Sequence, residues 1–205
     1  MLLGSIVALS LVGSALAGPY RRFEGLTVEL QASAASVSSV DDLVLTATVT
    51  NNGAESVKVL RYGTILDSQL PTKSFKVTKD GQDVAFTGIK LSVSLSEVDD
   101  TAFTVIPAGE SVTVTHQVAS LFNFAAAGAG KYTFEPVTSF LVQDAAQLLA
   151  AFELSKVGTT AKSVEVELSG DLVKRELPDL DKRAVDICTT SSMKSFIDAR
   201  LVSPI

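Results

Sequence analysis

Three observations predict a mainly β chain: an immunoglobulin-like antiparallel β-sandwich of about seven strands with a short late helix. Apolar residues alternate with Thr, Ser and Glu in short runs. Turn-forming dipeptides separate those runs. The chain has no Trp and one Cys, so the sandwich lacks the Trp and paired Cys of true immunoglobulin domains, and only the architecture is implied.

Leu43, Leu45, Ala47 and Val49 alternate with Val44, Thr46 and Thr48, the period of a half-buried strand. Asn51-Asn52-Gly53 follows as a turn where positive φ is cheap, and Val57, Val59 and Tyr62 continue the pattern. Phe75 and Val77 form the next strand, which Asp80-Gly81 turns into Val84-Ala85-Phe86 as a hairpin. Phe103 to Ile106 leads through Pro107-Ala108-Gly109 to Val112, Val114 and Val118. Ala125 to Gly130 reads as a small-residue loop, and Lys131 to Phe134 as a strand. Between Ser139 and Phe152 the spacing of Leu141, Leu148 and Phe152 predicts the late helix, with Gln143, Asp144 and Gln147 on its outer side. Val164, Val166 and Leu168 alternate with Glu165 and Glu167 as the last strand.

The two ends read differently. Met1 to Ala17 has the form of a signal peptide: Leu2 to Leu11 is almost wholly apolar, and Ala15 and Ala17 supply small residues before a cut after Ala17. That run is short for a membrane span, and no other span follows, so the expectation is secretion without a membrane span after signal removal. The sandwich is assigned to residues 24–170. Residues 171–183 form a charged linker with two dibasic pairs, Lys174-Arg175 and Lys182-Arg183, flanking Glu176-Leu177-Pro178-Asp179. An exposed dibasic pair in a secreted chain is what a kexin-like processing protease cuts, because its acidic pockets pair with both cations. On that reading most of the chain is a pro-region, and residues 184–205 begin the part it serves. Ser191 or Ser192 is placed to cap a helix through Phe196 and Ile197.

Composition excludes several functions. A net charge of −6 and the lack of a basic stripe with interleaved aromatics argue against nucleic acid as a partner. The single His116 falls in phase with Val112, Val114 and Val118, on a face expected to be apolar; one His is not a zinc site, and a hydrogen-bonded rim histidine is the expected reading. Cys188 has no scaffold to make it a nucleophile and reads as half of a disulfide whose partner is absent from this sequence. Asp41-Asp42 and Asp99-Asp100 read as solvated turns. The sequence contains no HExxH, no phosphate-binding Gly-rich loop and no G-x-S-x-G, so no catalytic residue is assigned.

Four stretches carry a resemblance. They are Leu45-Thr46-Ala47-Thr48-Val49-Thr50-Asn51-Asn52-Gly53, then Leu60 to Asp67 with Pro71-Thr72-Lys73, then Val77 to Ile89 containing Lys79-Asp80-Gly81 and Phe86-Thr87-Gly88-Ile89, and last Phe103 to Val112. Together they resemble the pro-region of fungal deuterolysin-type zinc metalloendopeptidases, the aspzincins, including their peptidyl-Lys-specific members. The resemblance implies a precursor whose pro-region assists folding and latency of a cognate metalloprotease catalytic domain until cleavage after Arg183. It also implies that Cys188 is the first, disulfide-bonded Cys of the mature part. In that family zinc sits on two His of an HExxH helix and a downstream Asp. This sequence ends before such a motif, so zinc is expected only in that catalytic domain and this chain alone is not expected to be an enzyme. The alternative is a stand-alone secreted immunoglobulin-like binding module, with the sandwich edges and the loop at 125–130 as its binding elements.

Overall fold

The computed structural model describes residues 25–95, 98–146, 154–159 and 161–173, and within them the chain is a β-sandwich of three sheets. The first sheet orders β1 (Leu26–Ala32), β3 (Val44–Asn51) and β8 (Ser111–Gln117) side by side. In the second, β11 (Ser155–Gly158), β10 (Ser139–Asp144), β4 (Val57–Leu60) and β7 (Phe103–Ile106) follow one another. The third runs β2 (Ser36–Ser39), β12 (Val164–Asp171), β9 (Gly130–Pro136), β5 (Phe75–Lys79) and β6 (Gln82–Asp83).

The alternation read in the sequence is the alternation of burial. On β3, Leu45, Ala47 and Val49 are fully buried while Val44, Thr46, Thr48 and Thr50 face outward. Strand β3 pairs antiparallel with both neighbours, so its outward threonines meet those of β8: Thr46 stands opposite Thr115 and Thr48 opposite Thr113. The inner faces of all three sheets share one core. Phe75, Val77, Tyr132, Phe134, Val166 and Leu168 from the third sheet meet Leu45 and Val49 of the first and Val59, Phe140 and Val142 of the second. Burying each large side chain contributes about 1.5–3 kcal/mol, which makes this core the main source of stability.

The Asp80-Gly81 hairpin forms as expected. Both residues have positive φ, 50° and 76°, and Lys79 pairs with Gln82 across them, a two-residue turn whose twist suits the flanking strands. Only Gln82–Asp83 continues as a strand; Val84 still donates to the Val77 carbonyl, and Phe86 bridges to Phe122.

Four expectations are corrected. The first part of the stretch expected to form the late helix is not helical, because Ser139–Asp144 is strand β10; the rest of that expectation, with Leu148 and Phe152, lies outside the described residues. Strand β10 is covered on both faces: Phe140 and Val142 enter the main core, while Leu141 packs on a smaller cluster of Leu60, Ala102 and Phe103. With apolar residues on both faces, the period of two disappears from the sequence. Second, the sandwich is not wholly antiparallel, since β2 runs parallel to β12. Third, Tyr62 lies in a turn beyond β4, with the Arg61 guanidinium 5.0 Å over its ring. Fourth, the small-residue stretch holds a one-turn helix, α1 (Phe124–Ala127). The Asn123 side chain caps it by accepting from the Ala126 N–H, and Phe124 anchors it between Phe122 and Tyr132 at ring distances of 6.0 and 5.3 Å.

At Gly170, β12 lies close against β2. A Cβ there would collide with the Ser38 carbonyl oxygen, at the shift in register between Leu168 and Asp171. Backbone cannot yield as a flexible side chain does. The expected result for Gly170→Ala is a loss of about 1–3 kcal/mol in urea unfolding. Gly158→Ala, where nothing lies within 4 Å of the new Cβ, is the control and changes stability by less than about 0.5 kcal/mol.

Candidate functional site

The processing and export residues singled out in the sequence, Ala17, Lys174, Arg175, Lys182, Arg183 and Cys188, all lie outside the described residues, as does the helix start at Ser191 and Ser192. The acidic pairs lie within them and are turn residues. Asp99 caps a 3₁₀ turn by accepting from the Thr101 N–H and hydroxyl; those two bonds hold its carboxyl below the usual value. Asp100 pairs with Lys58 at 2.8 Å. Ser39 caps the 3₁₀ turn of Val40–Asp42 by accepting from the Asp41 N–H.

His116 sits as the alternation requires, at the buried end of β8 and 4% exposed. Its Nε2 lies 2.9 Å from the Ile65 carbonyl oxygen, and because that oxygen only accepts, Nε2 carries the proton and donates. The ring stands edge-on to Phe75 with centroids 5.0 Å apart and planes at 89°. Burial pushes its pKa below the ordinary value, against the opposing pull of the Ile65 carbonyl and the Asp67 carboxylate.

Through Ile65, His116 fastens the segment from Arg61 to Ser74 to the sandwich. That segment is tied by its own polar groups. The Thr64 hydroxyl donates to the Arg61 carbonyl at 2.7 Å, and the Ser74 hydroxyl donates to the Thr64 carbonyl at 3.1 Å. The buried Asp67 accepts from the N–H groups of Gln69 and Leu70 through Oδ1, each at 3.1 Å. Asp67 Oδ2 and the Thr72 hydroxyl are buried without a hydrogen-bond partner among the described residues.

Beside this segment is a cleft of about 390 Å³ between β7 and β8. Strands β7 and β8 are joined through Pro107 to Glu110 but belong to different sheets. Val112, Thr113, Val114 and Thr115 all line the cleft from one side, Thr104 of β7 from another, and Arg61, Ser68 and Gln69 close it. Consecutive residues of a strand point to opposite faces, so only the edge of β8 can present all four together. Neither Arg61 nor Asp67 stands out in the sequence as a site residue. A buried Asp leaves no mark in composition, and Arg61 matters only because two sheets diverge next to it.

The described residues do not fit zinc. No group of three or more His, Cys, Asp or Glu stands close enough among them to hold a metal ion, and the one histidine spends Nε2 on a backbone carbonyl. Nor, among the described residues, is any helix long and apolar enough to cross a membrane.

Residues 2–202 match the deuterolysin metalloprotease (M35) family, and the chain belongs to that family. It is 33% identical over 181 residues to the peptidyl-Lys metalloendopeptidase of Armillaria mellea, covering 85% of this chain and 50% of that protein. To the peptidyl-Lys metalloendopeptidase of Grifola frondosa it is 29% identical over 181 residues, covering 85% and 51%. A neutral protease 2 homolog of Phaeosphaeria nodorum is 27% identical over 186 residues, covering 88% and 49%. The chain therefore spans about half the length of these curated relatives.

The buried, neutral His116 makes stability depend on pH. Its folded pKa lies below the unfolded value of about 6.5, so the unfolded chain binds more protons between the two. The stability from this group is full above about pH 6.5 and falls as pH drops toward the folded value, by at most about 1.4 kcal/mol per pH unit. Urea unfolding between pH 7.5 and 5 should show this decline, and His116→Gln should flatten it. Equal slopes for the two proteins would contradict the assignment.

Proposed function

We propose that this chain is the pro-region of a secreted zinc metalloendopeptidase precursor, and that it assists folding and latency of the protease until cleavage after Arg183. The observation that carries the reading is the pairing of family membership with coverage: nearly the whole chain matches about half of each relative. In support, an HExxH helix needs two histidines and the chain has one, held in the sandwich core. Zinc and the reaction then belong to a catalytic domain outside these residues. The signal peptide ending at Ala17 delivers the precursor to the secretory pathway. There a kexin-like protease reads Lys182-Arg183, with Lys174-Arg175 as a second site, and Cys188 pairs with a Cys of the catalytic domain.

The physical basis is linkage. A domain that binds the native form of its neighbour, and not the unfolded form, stabilises it by mass action. While the two share a chain the effective concentration is about millimolar, and cutting the linker removes that advantage. Release thus follows from the cleavage itself and needs no switch within the sandwich.

The test is refolding in trans. The half of the Armillaria mellea relative that lies outside the match is denatured and diluted with zinc, with and without the full chain. The expected result is a recovered peptidase yield several-fold higher with the chain, together with reduced peptidase activity while the chain is in excess. Unchanged yield and unchanged activity would overturn the reading.

A further inference from the structure

We propose that the cleft between β7 and β8 is a docking site for one extended strand bearing a carboxylate, supplied by the catalytic domain, which pairs with β8 as the fourth strand of the first sheet. This assignment rests on the pro-region reading for the source of the strand. The site itself rests on three independent observations.

The first is backbone. Among the described residues β8 pairs only with β3, and β7 only with β4, so each presents one unpaired edge. An unpaired edge is a row of free N–H and C=O groups, a template for another strand. Strand β8 spans seven residues, about 24 Å of such template at a rise of about 3.4 Å per residue.

The second is the lack of the usual protection. Natural edges are blunted with Lys, Pro, a bulge or an inward charge. Ser111–Gln117 and Phe103–Ile106 contain no Lys, Arg, Asp, Glu or Pro, and the pairings of β8 with β3 and of β7 with β4 run without a register shift. Val105 is 49% exposed, and Val112 and Val114 are only half-buried beside the cleft. By contrast, the edge strand β11 carries Lys156, and β6 is two residues long and carries Asp83.

The third is charge, and it selects the occupant. Arg61 is the one charged residue lining the cleft, and its guanidinium has no carboxylate partner among the described residues. It rests on the Tyr62 ring and donates to the phenol oxygen at 3.2 Å, and it lines the cleft with a planar fork of donors suited to a carboxylate. In a chain of net charge −6, this positive spot beside an unguarded edge is complementary to an acidic side chain on an incoming strand. A second copy of this chain fits less well. Antiparallel pairing of β8 with its twin would bring two copies of Arg61 to one two-fold interface with no acidic lining residue among the described residues to neutralise them.

The probe is a blocked heptapeptide in which valine and threonine alternate around one central glutamate, with its glutamine counterpart as comparison. Both are titrated against the full chain by fluorescence anisotropy, with hydrogen exchange read by mass spectrometry. The expected result is slowed exchange in 111–117, and about fivefold weaker binding of the glutamine peptide, the ratio for an exposed Arg–carboxylate contact. Arg61→Gln should bring the two peptides to equal affinity, on a chain whose melting temperature is checked because the variant also gives up the Tyr62 contact. Thr104→Lys, which places a guard on the β7 edge, should weaken both peptides on a chain whose melting temperature is also checked. Equal binding of the two peptides to the unaltered chain, or protection confined to another strand, would overturn the proposal. So would a dimer in sedimentation whose 111–117 amides are protected without peptide. The same variants then enter the trans refolding assay. If the unaltered chain raises the yield and both variants raise it equally, the docking site is wrong and the pro-region reading stands. If the unaltered chain gives no help, the pro-region reading itself fails.

Discussion

The corner where the first two sheets meet depends on one buried side chain, Asn51. At 2% exposure it sits at the end of β3 and uses every polar group it has. Its N–H donates to the Glu110 carbonyl at 2.9 Å, and its carbonyl accepts from Gly109 at 2.8 Å. The side-chain amide donates to the carbonyls of Glu55 and Ile106 at 2.8 and 3.0 Å, while Oδ1 accepts from Gly53 at 3.0 Å. One residue thus closes the turn after β3 and holds both ends of the connection between β7 and β8. Because that connection is pinned to β3, the chain must leave the second sheet at Ile106 and enter the first at Ser111. The two edges therefore diverge and leave the cleft between them. Leaving any one of these buried groups without a partner would cost about 1–3 kcal/mol.

How legible each strand is in the sequence depends on which of its faces meet water. Strand β3 has one wet face, so Thr46 and Thr48 announce the period and its phase is plain; the same holds for β12, where Glu165 and Glu167 face out. Asp80-Gly81 is legible because its backbone geometry restricts the residues that fit. His116 is legible as a buried, hydrogen-bonded residue from its phase alone, although its partner, the carbonyl of Ile65, lies 51 positions away and no local pattern points to it. Strand β10 is illegible for the opposite reason: apolar cover on both sides removes the alternation and leaves a spacing that also suits a helix. The parallel pairing of β2 with β12 joins segments far apart in the chain, and a four-residue strand carries too little pattern to show its direction.

The candidate site is even less visible, because it is made of strand edges that pair with no other strand among the described residues. Asn51 reads as part of a turn, and it is one, but its amide reaches into the corner instead of outward. Arg61 and the edges of β7 and β8 gain meaning only from the divergence that Asn51 enforces. The family relationship supplies the other half of the account. A sandwich with its own core can fold ahead of a neighbour, and an unguarded edge held close by a shared chain can then offer that neighbour a template. The same edge would be a liability in a free protein, where it invites aggregation, and is tolerable in one that normally has a partner.

The central claim is that residues up to Arg183 form a part that separates from the chain beyond Arg183. The direct measurement is mass spectrometry with N-terminal sequencing of the products that a host with a dibasic-processing protease secretes from this gene. The account predicts a fragment ending at Arg183 and a separate chain beginning at Ala184. A single secreted chain running uncut through Lys182-Arg183 would contradict it.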